Sequence, residues 1–417
     1  MNILYISQFF YPETNAGAFR AYENSYCWQK NNNNITVITT FPNYPKGKIY
    51  KGYSNKFIFK ENIKGINVIR VKSIIKKNTR KINRLILYLS FLFFTVLNTL
   101  MGNIDTKQYD IVIGSSGPIF VSIYAYVISK IRRIPFILEL RDITFIQMLG
   151  TFSSKGSYYY KTIKKLELFM CSKATRIIVT TNSFKEILIS HGIERKKIDV
   201  IPNGVFVGKD LLNGNKDKKI KVNDNEIIFC YAGTFGISQD LIQMIDFFRN
   251  LDLNNKKLYL IGDGAEKQKI LSYIKKHNLD NIIVLDSMPK EQLTYFYKQV
   301  DICIIKLKNT KEFSNFIPSK VFDIMYNAKP ILYLGPKGEI TDIIDKSNCG
   351  FYYCNYSQIE NANDFSRYIK GYSDIKQFKI ELSYKGKRGY EYCIKNYDRE
   401  KLAKKYLAIL EKLIEER

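Results

Sequence analysis

The stretch Asn309–Leu334, NTKEFSNFIPSKVFDIMYNAKPILYL, carries the strongest structural and chemical signals in the chain. It follows an apolar run, Ile302–Leu307, that reads as a buried strand. A polar loop leads to Pro318, Ser319 and Lys320, which open a predicted helix with Asp323 one turn in. Proline suits a first turn because its missing N–H would be unpaired there anyway. A helix start gathers free N–H groups and the positive dipole end, so it favours an anion. Lys320 adds a full charge, and Asp323, three residues on, can accept hydrogen bonds from hydroxyls on the same face. A cation for phosphate beside a carboxylate for a ribose diol is the pattern of a nucleotide-sugar site. The same residues also fit an ordinary capped helix with a surface Lys–Asp pair. The stretch closes on a further apolar strand, Pro330–Leu334, so it reads as one unit of a parallel α/β sheet.

Working outward, the same alternation fills the second half of the chain. Strands are predicted at Ile227–Ala232, Lys257–Ile261, Asn281–Leu285 and Phe351–Tyr353, with helical stretches such as Gln239–Phe248 and Lys290–Lys298 between. The first of these strands ends YAGTFG (Tyr231–Gly236) and the second IGDGAE (Ile261–Glu266). Glycine at a strand's carboxyl end permits positive φ and lets a ligand approach the backbone. Plain turn-making explains either loop alone; both together, beside Lys320 and Asp323, bring in the nucleotide. Met288 lies at the same edge and can flank a base.

The first half repeats the theme. ILYIS (Ile3–Ser7), ITVITT (Ile35–Thr40), Ile66–Val71, DIVIGS (Asp110–Ser115), PFILEL (Pro135–Leu140) and Arg176–Thr181 read as strands, and Arg141–Asp142 sit where ligands bind in such sheets. Lys76, Lys77, Arg80, Lys81 and Arg84 recur at near-helical spacing and predict one basic helix face. Leu85–Met101 follows and is almost wholly apolar, short for a span and interrupted by Ser90, Asn98 and Thr99. A basic flank beside an apolar helix suits an interfacial segment on an anionic leaflet; a buried helix with a solvated flank is the other reading. Gly208–Asn225 is polar and aperiodic, a predicted linker, and Tyr397–Arg417 is a charged amphipathic helix. The expected division is therefore 1–205, a linker at 206–225, a second domain at 226–395, and a terminal helix at 396–417 that packs back on the first domain.

With 417 residues, two domains are the natural expectation. A formal net charge of +26 implies a polyanionic neighbour: nucleic acid, an acidic membrane face or phosphorylated substrates. No aromatic–basic recognition motif supports nucleic acid. The 7 cysteines are scattered without a CxxC pair, which favours a reducing cytoplasm. The 2 histidines, His191 and His277, lie far apart, and no D-x-D pair occurs, so no metal cofactor is expected.

Taken together, QFFYPETNAGAFR, FPNYPKGKIYKGY, VIPNGV, YAGTFG, IGDGAEK and IPSKVFDIM resemble glycosyltransferase family 4 over nearly the whole length. The FPNYPKGKIYKGY loop and the IPSK element look like the branch that includes L-fucosamine transferases of surface-polysaccharide (capsule or O-antigen) assembly. The resemblance implies the GT-B fold: two Rossmann-like, doubly wound α/β domains facing across a cleft. It implies a retaining, metal-independent transferase taking a sugar, such as an N-acetylated amino sugar, from a UDP-sugar to a lipid-linked or saccharide acceptor. It also implies a cytoplasmic enzyme, peripheral on the inner face of the plasma membrane. Carried over by position, Gly17, Gly233, Thr234, Gly236, Met288, Ser319, Lys320 and Asp323 fall at the donor. Asn203–Gly204 marks the interdomain hinge.

Three departures from the family pattern matter. Positions that commonly carry Arg and Lys for the diphosphate are Thr234 and Gln239 here, which leaves Lys320 as the leaving-group cation. The E-x7-E pair falls on Asn315 and Asp323, with Glu312 as a substitute for the first. RDITF stands where the branch often has RDLWP, and Asp142 is the first-domain carboxylate expected as base or acceptor-positioning group. A sugar-nucleotide epimerase of the same fold and a non-catalytic nucleotide-sugar-binding subunit are the competing readings.

Overall fold

The computed structural model describes residues 1–44, 46–76, 81–152, 156–208, 225–355 and 357–416. Most of the expected linker, 209–224, lies outside the described residues, as do Lys77 and Arg80. The chain forms two compact units. One comprises Met1–Phe145, Ser154–Asn203 and Arg399–Arg417; the other comprises Ile146–Ser153 and Gly204–Asp398.

The first unit is built on an eight-stranded sheet: β1 (Asn2–Ile6), β2 (Asn34–Thr40), β3 (Ile58–Ile63), β4 (Ile66–Val71), β5 (Ile111–Ser116), β6 (Phe136–Leu140), β7 (Arg176–Val179) and β8 (Ile198–Val200). Their order is β3-β4-β2-β1-β5-β6-β7-β8. All neighbours run parallel except the β3–β4 hairpin. Strands such as β5 are buried at every residue, as a sheet covered on both faces requires. The unexpected strand is β3. Its IFKENI sequence puts polar residues on an exposed edge, and Lys64–Gly65, both at positive φ, turn it into β4.

Helix Ala16–Lys30 follows β1, capped by the Asn15 side chain, which accepts from the Ala18 N–H at 2.9 Å. Helix Arg399–Glu415 packs on it: Trp28 Nε1 donates to the Ala403 carbonyl at 3.0 Å, and the Trp28 ring meets Tyr406 edge-on. Beneath lies a buried charge network. Glu139 Oε1 accepts from Tyr5 Oη at 3.0 Å and Ser115 Oγ at 3.1 Å, with Arg20 Nε at 3.3 Å. Arg20 also donates to the Ile201 and Pro202 carbonyls and to Asn203 Oδ1. Arg399 pairs with Glu23 at 2.9 Å. Arg20 and Glu23, one turn apart on one helix, thus fasten the chain where it leaves the first unit at Asn203 and re-enters it at Arg399.

The apolar segment forms helix Lys81–Leu100. Of the basic face expected over Lys76–Arg84, Lys76 is not on this helix, and Lys77 and Arg80 lie outside the described residues. Lys76 precedes the helix, in a segment without regular secondary structure where the Ile74 N–H donates to Ser90 Oγ at 2.8 Å. Lys81 starts the helix and Arg84 is exposed on it. Ile82–Leu100 is long and apolar enough to cross a membrane. Its polar residues face the unit, though: Thr99 Oγ1 meets Tyr124 Oη at 2.7 Å, and Asn98 is fully buried. Ile82, Leu89, Phe93, Val96 and Leu100 form the exposed row.

The second unit holds β9 (Ile227–Ala232), β10 (Lys256–Ile261), β11 (Ile282–Leu285), β12 (Ile302–Lys306), β13 (Ile331–Leu334) and β14 (Gly350–Tyr353). They run in the order β11-β10-β9-β12-β13-β14, all parallel. Strand order reverses between β9 and β12 here, and between β1 and β5 in the first unit. In open α/β sheets the crevice at the strands' carboxyl ends at such a point is where ligands bind.

Candidate active site

The β9–β12 reversal in the second unit places two glycine loops together. Gly233 N donates to the Ile261 carbonyl and Phe235 N to the Asp263 carbonyl, each at 2.9 Å. A Cβ at Gly262 would overlap the Gly233 carbonyl oxygen, and one at Gly264 the Phe235 carbonyl oxygen; both glycines have positive φ. This close approach, not turn-making alone, requires glycine.

Lys320 enters the same place. A Cβ at Gly233 would lie 2.5 Å from Lys320 Nζ, and Nζ sits 4.0 Å from the centre of the Tyr231 ring. The amine is buried and, among the described residues, has no hydrogen-bond partner. The rest of the side chain is half-buried. Burial without a counter-charge pushes its pKa down to about 7. Such a group is costly unless something anionic completes it. The helix itself is Lys320–Tyr326, only 7 residues, with Ser319 as a cap whose side chain makes no capping bond. Pro318 stands just before it. The positive charge of this site is therefore the Lys320 ammonium more than the helix end.

Other expected residues fall as follows. Asp323 pairs with Lys290 at 2.8 Å, a contact with no sequence signal because 33 residues separate the partners. Lys290 opens the helix Lys290–Tyr297 directly after the segment carrying half-buried Met288. Thr234 is exposed, and a Cβ at Gly236 would lie 2.7 Å from Gln239 Oε1. A second buried cation went unnoticed in sequence. Lys306, at the end of β12, donates to the Leu307 carbonyl at 3.0 Å and to Gln243 Oε1 at 3.3 Å, and burial lowers its pKa to about 8. A lysine closing the run ICIIK was the available signal.

Gly17 and Asp142 belong to the first unit. A Cβ at Gly17 would overlap the Arg141 guanidinium. Asp142 is reached by solvent, yet surrounding protein raises its pKa while Arg141 lowers it. Among the described residues its carboxylate makes no hydrogen bond or ion pair. Buried Glu13, also missed, accepts from the Asn43 N–H at 2.8 Å and the Tyr44 N–H at 2.9 Å. Burial raises its pKa to about 7.

Residues 22–208 match Glycosyltransferase Family 4, and residues 213–388 match Glycosyl transferases group 1. The amylovoran biosynthesis glycosyltransferase AmsD of Erwinia amylovora is 26% identical over 195 residues, 46% of this chain and 51% of that protein. An uncharacterized glycosyltransferase of Methanocaldococcus jannaschii is 25% identical over 238 residues, 56% of this chain and 58% of that protein. The chain thus spans about half the length of the curated relatives it matches. Among solved structures, sucrose-phosphate synthase from Thermosynechococcus elongatus superposes with a TM-score of 0.75 at 14% identity, covering 100% of both chains. Anabaena HepE in complex with UDP-glucose gives 0.69 at 13% identity, covering 99% of this chain and 100% of that one.

Proposed function

The chain belongs to the glycosyltransferases, with a family 4 domain followed by a group 1 domain in the GT-B fold, and from that premise we propose that it transfers a sugar from a UDP-sugar to a lipid-linked saccharide with retained configuration. One observation carries the reading: the buried, unpartnered Lys320 ammonium against the Gly233 loop at the strand-order reversal. UDP is the nucleotide of choice because HepE, of the same fold, holds UDP-glucose. An N-acetylated amino sugar such as L-fucosamine fits the resemblance of the FPNYPKGKIYKGY and IPSK elements.

In this mechanism the bond between the sugar's C1 and the β-phosphate oxygen breaks, and its electron pair stays on the phosphate. Lys320 and the N–H groups of the glycine loops stabilise that charge. The acceptor hydroxyl forms the new C1–O bond on the same face, and its proton passes to the departing phosphate oxygen. Asp142 positions the acceptor hydroxyl. The Lys290–Asp323 pair presents the carboxylate to the ribose hydroxyls, with Met288 and Ser319 beside the nucleotide. Incubation with UDP-, GDP- and dTDP-sugars and polyprenyl-linked saccharides, read by mass spectrometry, tests this. Sugar added to the acceptor from a UDP-sugar is the expected result. Turnover of the sugar nucleotide without acceptor would point to an epimerase instead.

The exposed row on helix Lys81–Leu100, with Lys76 and Arg84 beside it, is proposed to lie on the anionic inner leaflet, where a lipid-linked acceptor is found. Neutralising Lys76, Lys77, Arg80, Lys81 and Arg84 together is expected to abolish flotation with anionic liposomes at physiological salt. Unchanged flotation would remove the membrane from the account.

A further inference from the structure

The first unit has its own strand-order reversal, between β1 and β5, and an unused cation stands there. Arg141 follows β6, the strand next to β5. Its guanidinium lies directly against two glycines: a Cβ at Gly17, after β1, or at Gly117, after β5, would displace it from this position. Arg141 Nε is buried without a hydrogen bond, and among the described residues the guanidinium has no ion pair. Buried polar atoms without partners collect at the same sheet edge: both amide atoms of Gln8, Nδ2 of Asn15 and Oγ of Ser116, with the acceptors Glu13 Oε2 and Asn43 Oδ1 in the same loops. Orphaned buried groups are rare enough to need a cause. Gln8 Nε2, Asn15 Nδ2 and Ser116 Oγ can donate, and Arg141 is a planar fork shaped for two oxygens.

We propose that the Gly17–Arg141–Gly117 slot is a phosphate-binding site of the first unit. This rests on the transferase reading above, in which both substrates carry a diphosphate. The phosphate is that of the lipid-linked acceptor, held by Arg141, with Asn15, Gln8 and Ser116 supplying further donors. Arg141 is the specificity-determining residue of that site.

Calorimetric titration of the full chain with farnesyl diphosphate and, separately, with UDP tests the proposal in wild type, Arg141→Gln, Arg141→Lys and Gly117→Ala. Gly117→Ala keeps the arginine but displaces it, and Arg141→Lys keeps the charge but not the fork. At least a tenfold loss of farnesyl diphosphate affinity in Arg141→Gln and Gly117→Ala, with UDP unchanged and Arg141→Lys intermediate, assigns the site to the acceptor. The same loss confined to UDP overturns the acceptor site. Wild-type affinity for both ligands in both variants overturns the site and leaves the transferase reading standing. Failure of the wild type to bind UDP, with Arg141-dependent binding of farnesyl diphosphate, supports the site while sinking the UDP-donor reading. Failure to bind either ligand overturns both.

Discussion

Lys320→Met is expected to lower kcat at saturating donor by about 10²–10³-fold, the range for removing one preorganised donor to a developing oxyanion. The physical reason is the isolation of this amine. It has the Tyr231 ring at 4.0 Å and Gly233 beside it and, among the described residues, no hydrogen-bond partner. Because burial holds its pKa near 7 in the free enzyme, kcat/KM for the donor should fall as pH rises above about 7. The methionine variant should lose that limb of the profile. Stability should move the opposite way. The unfolded lysine titrates at its ordinary 10.5 and the folded one near 7. Between those values the unfolded state binds more protons, so wild-type stability rises with pH across that window. Lys320→Met should therefore be more stable than wild type, by about 1–3 kcal/mol at or below pH 7, with the gap closing toward pH 10. Denaturant titrations at pH 6.5 and 9.5 measure it. A variant that is both active and less stable would contradict this account.

Arg20→Met is expected to destabilise the first unit by about 3–5 kcal/mol, because it removes the guanidinium 3.3 Å from buried Glu139, a carboxylate that also accepts from Tyr5 and Ser115. It also frees the Ile201 and Pro202 carbonyls and Asn203 Oδ1. The double change Arg20→Met with Glu139→Leu should recover a large part of the loss, since an apolar pair replaces both charges at once. Urea unfolding followed by the fluorescence of Trp28, buried in this unit, reads the effect. A single-variant loss under about 1 kcal/mol would show that water reaches Glu139 and that the network is not the fastening it resembles.

What could be read from sequence follows the reach of each interaction. The six strands of the second unit were legible because a parallel strand covered on both faces is a short apolar run. The strand β3 was not, since IFKENI spends half its residues on solvent. The spacing of Lys76, Lys77, Arg80, Lys81 and Arg84 suggests one helix face, but Lys76 lies off the helix, whose described residues begin at Lys81. At the site, the glycine loops and Lys320 carried signals of type and spacing, although 87 residues separate Gly233 from Lys320. The Lys290–Asp323 pair and the Arg141 slot carried none. They come from topology, which sets the ends of distant strands side by side, and no local pattern records that.

The central claim is that Lys320 receives the nucleotide diphosphate. Proton uptake on UDP binding tests it most directly, measured at pH 8 by calorimetry in buffers of different ionisation enthalpy. An amine with a pKa near 7 is mostly neutral at that pH, and a diphosphate beside it restores the charge. The account predicts uptake of most of one proton per UDP by wild type, and weaker binding without uptake by Lys320→Met. UDP binding with no proton uptake, at equal affinity in both proteins, would contradict it.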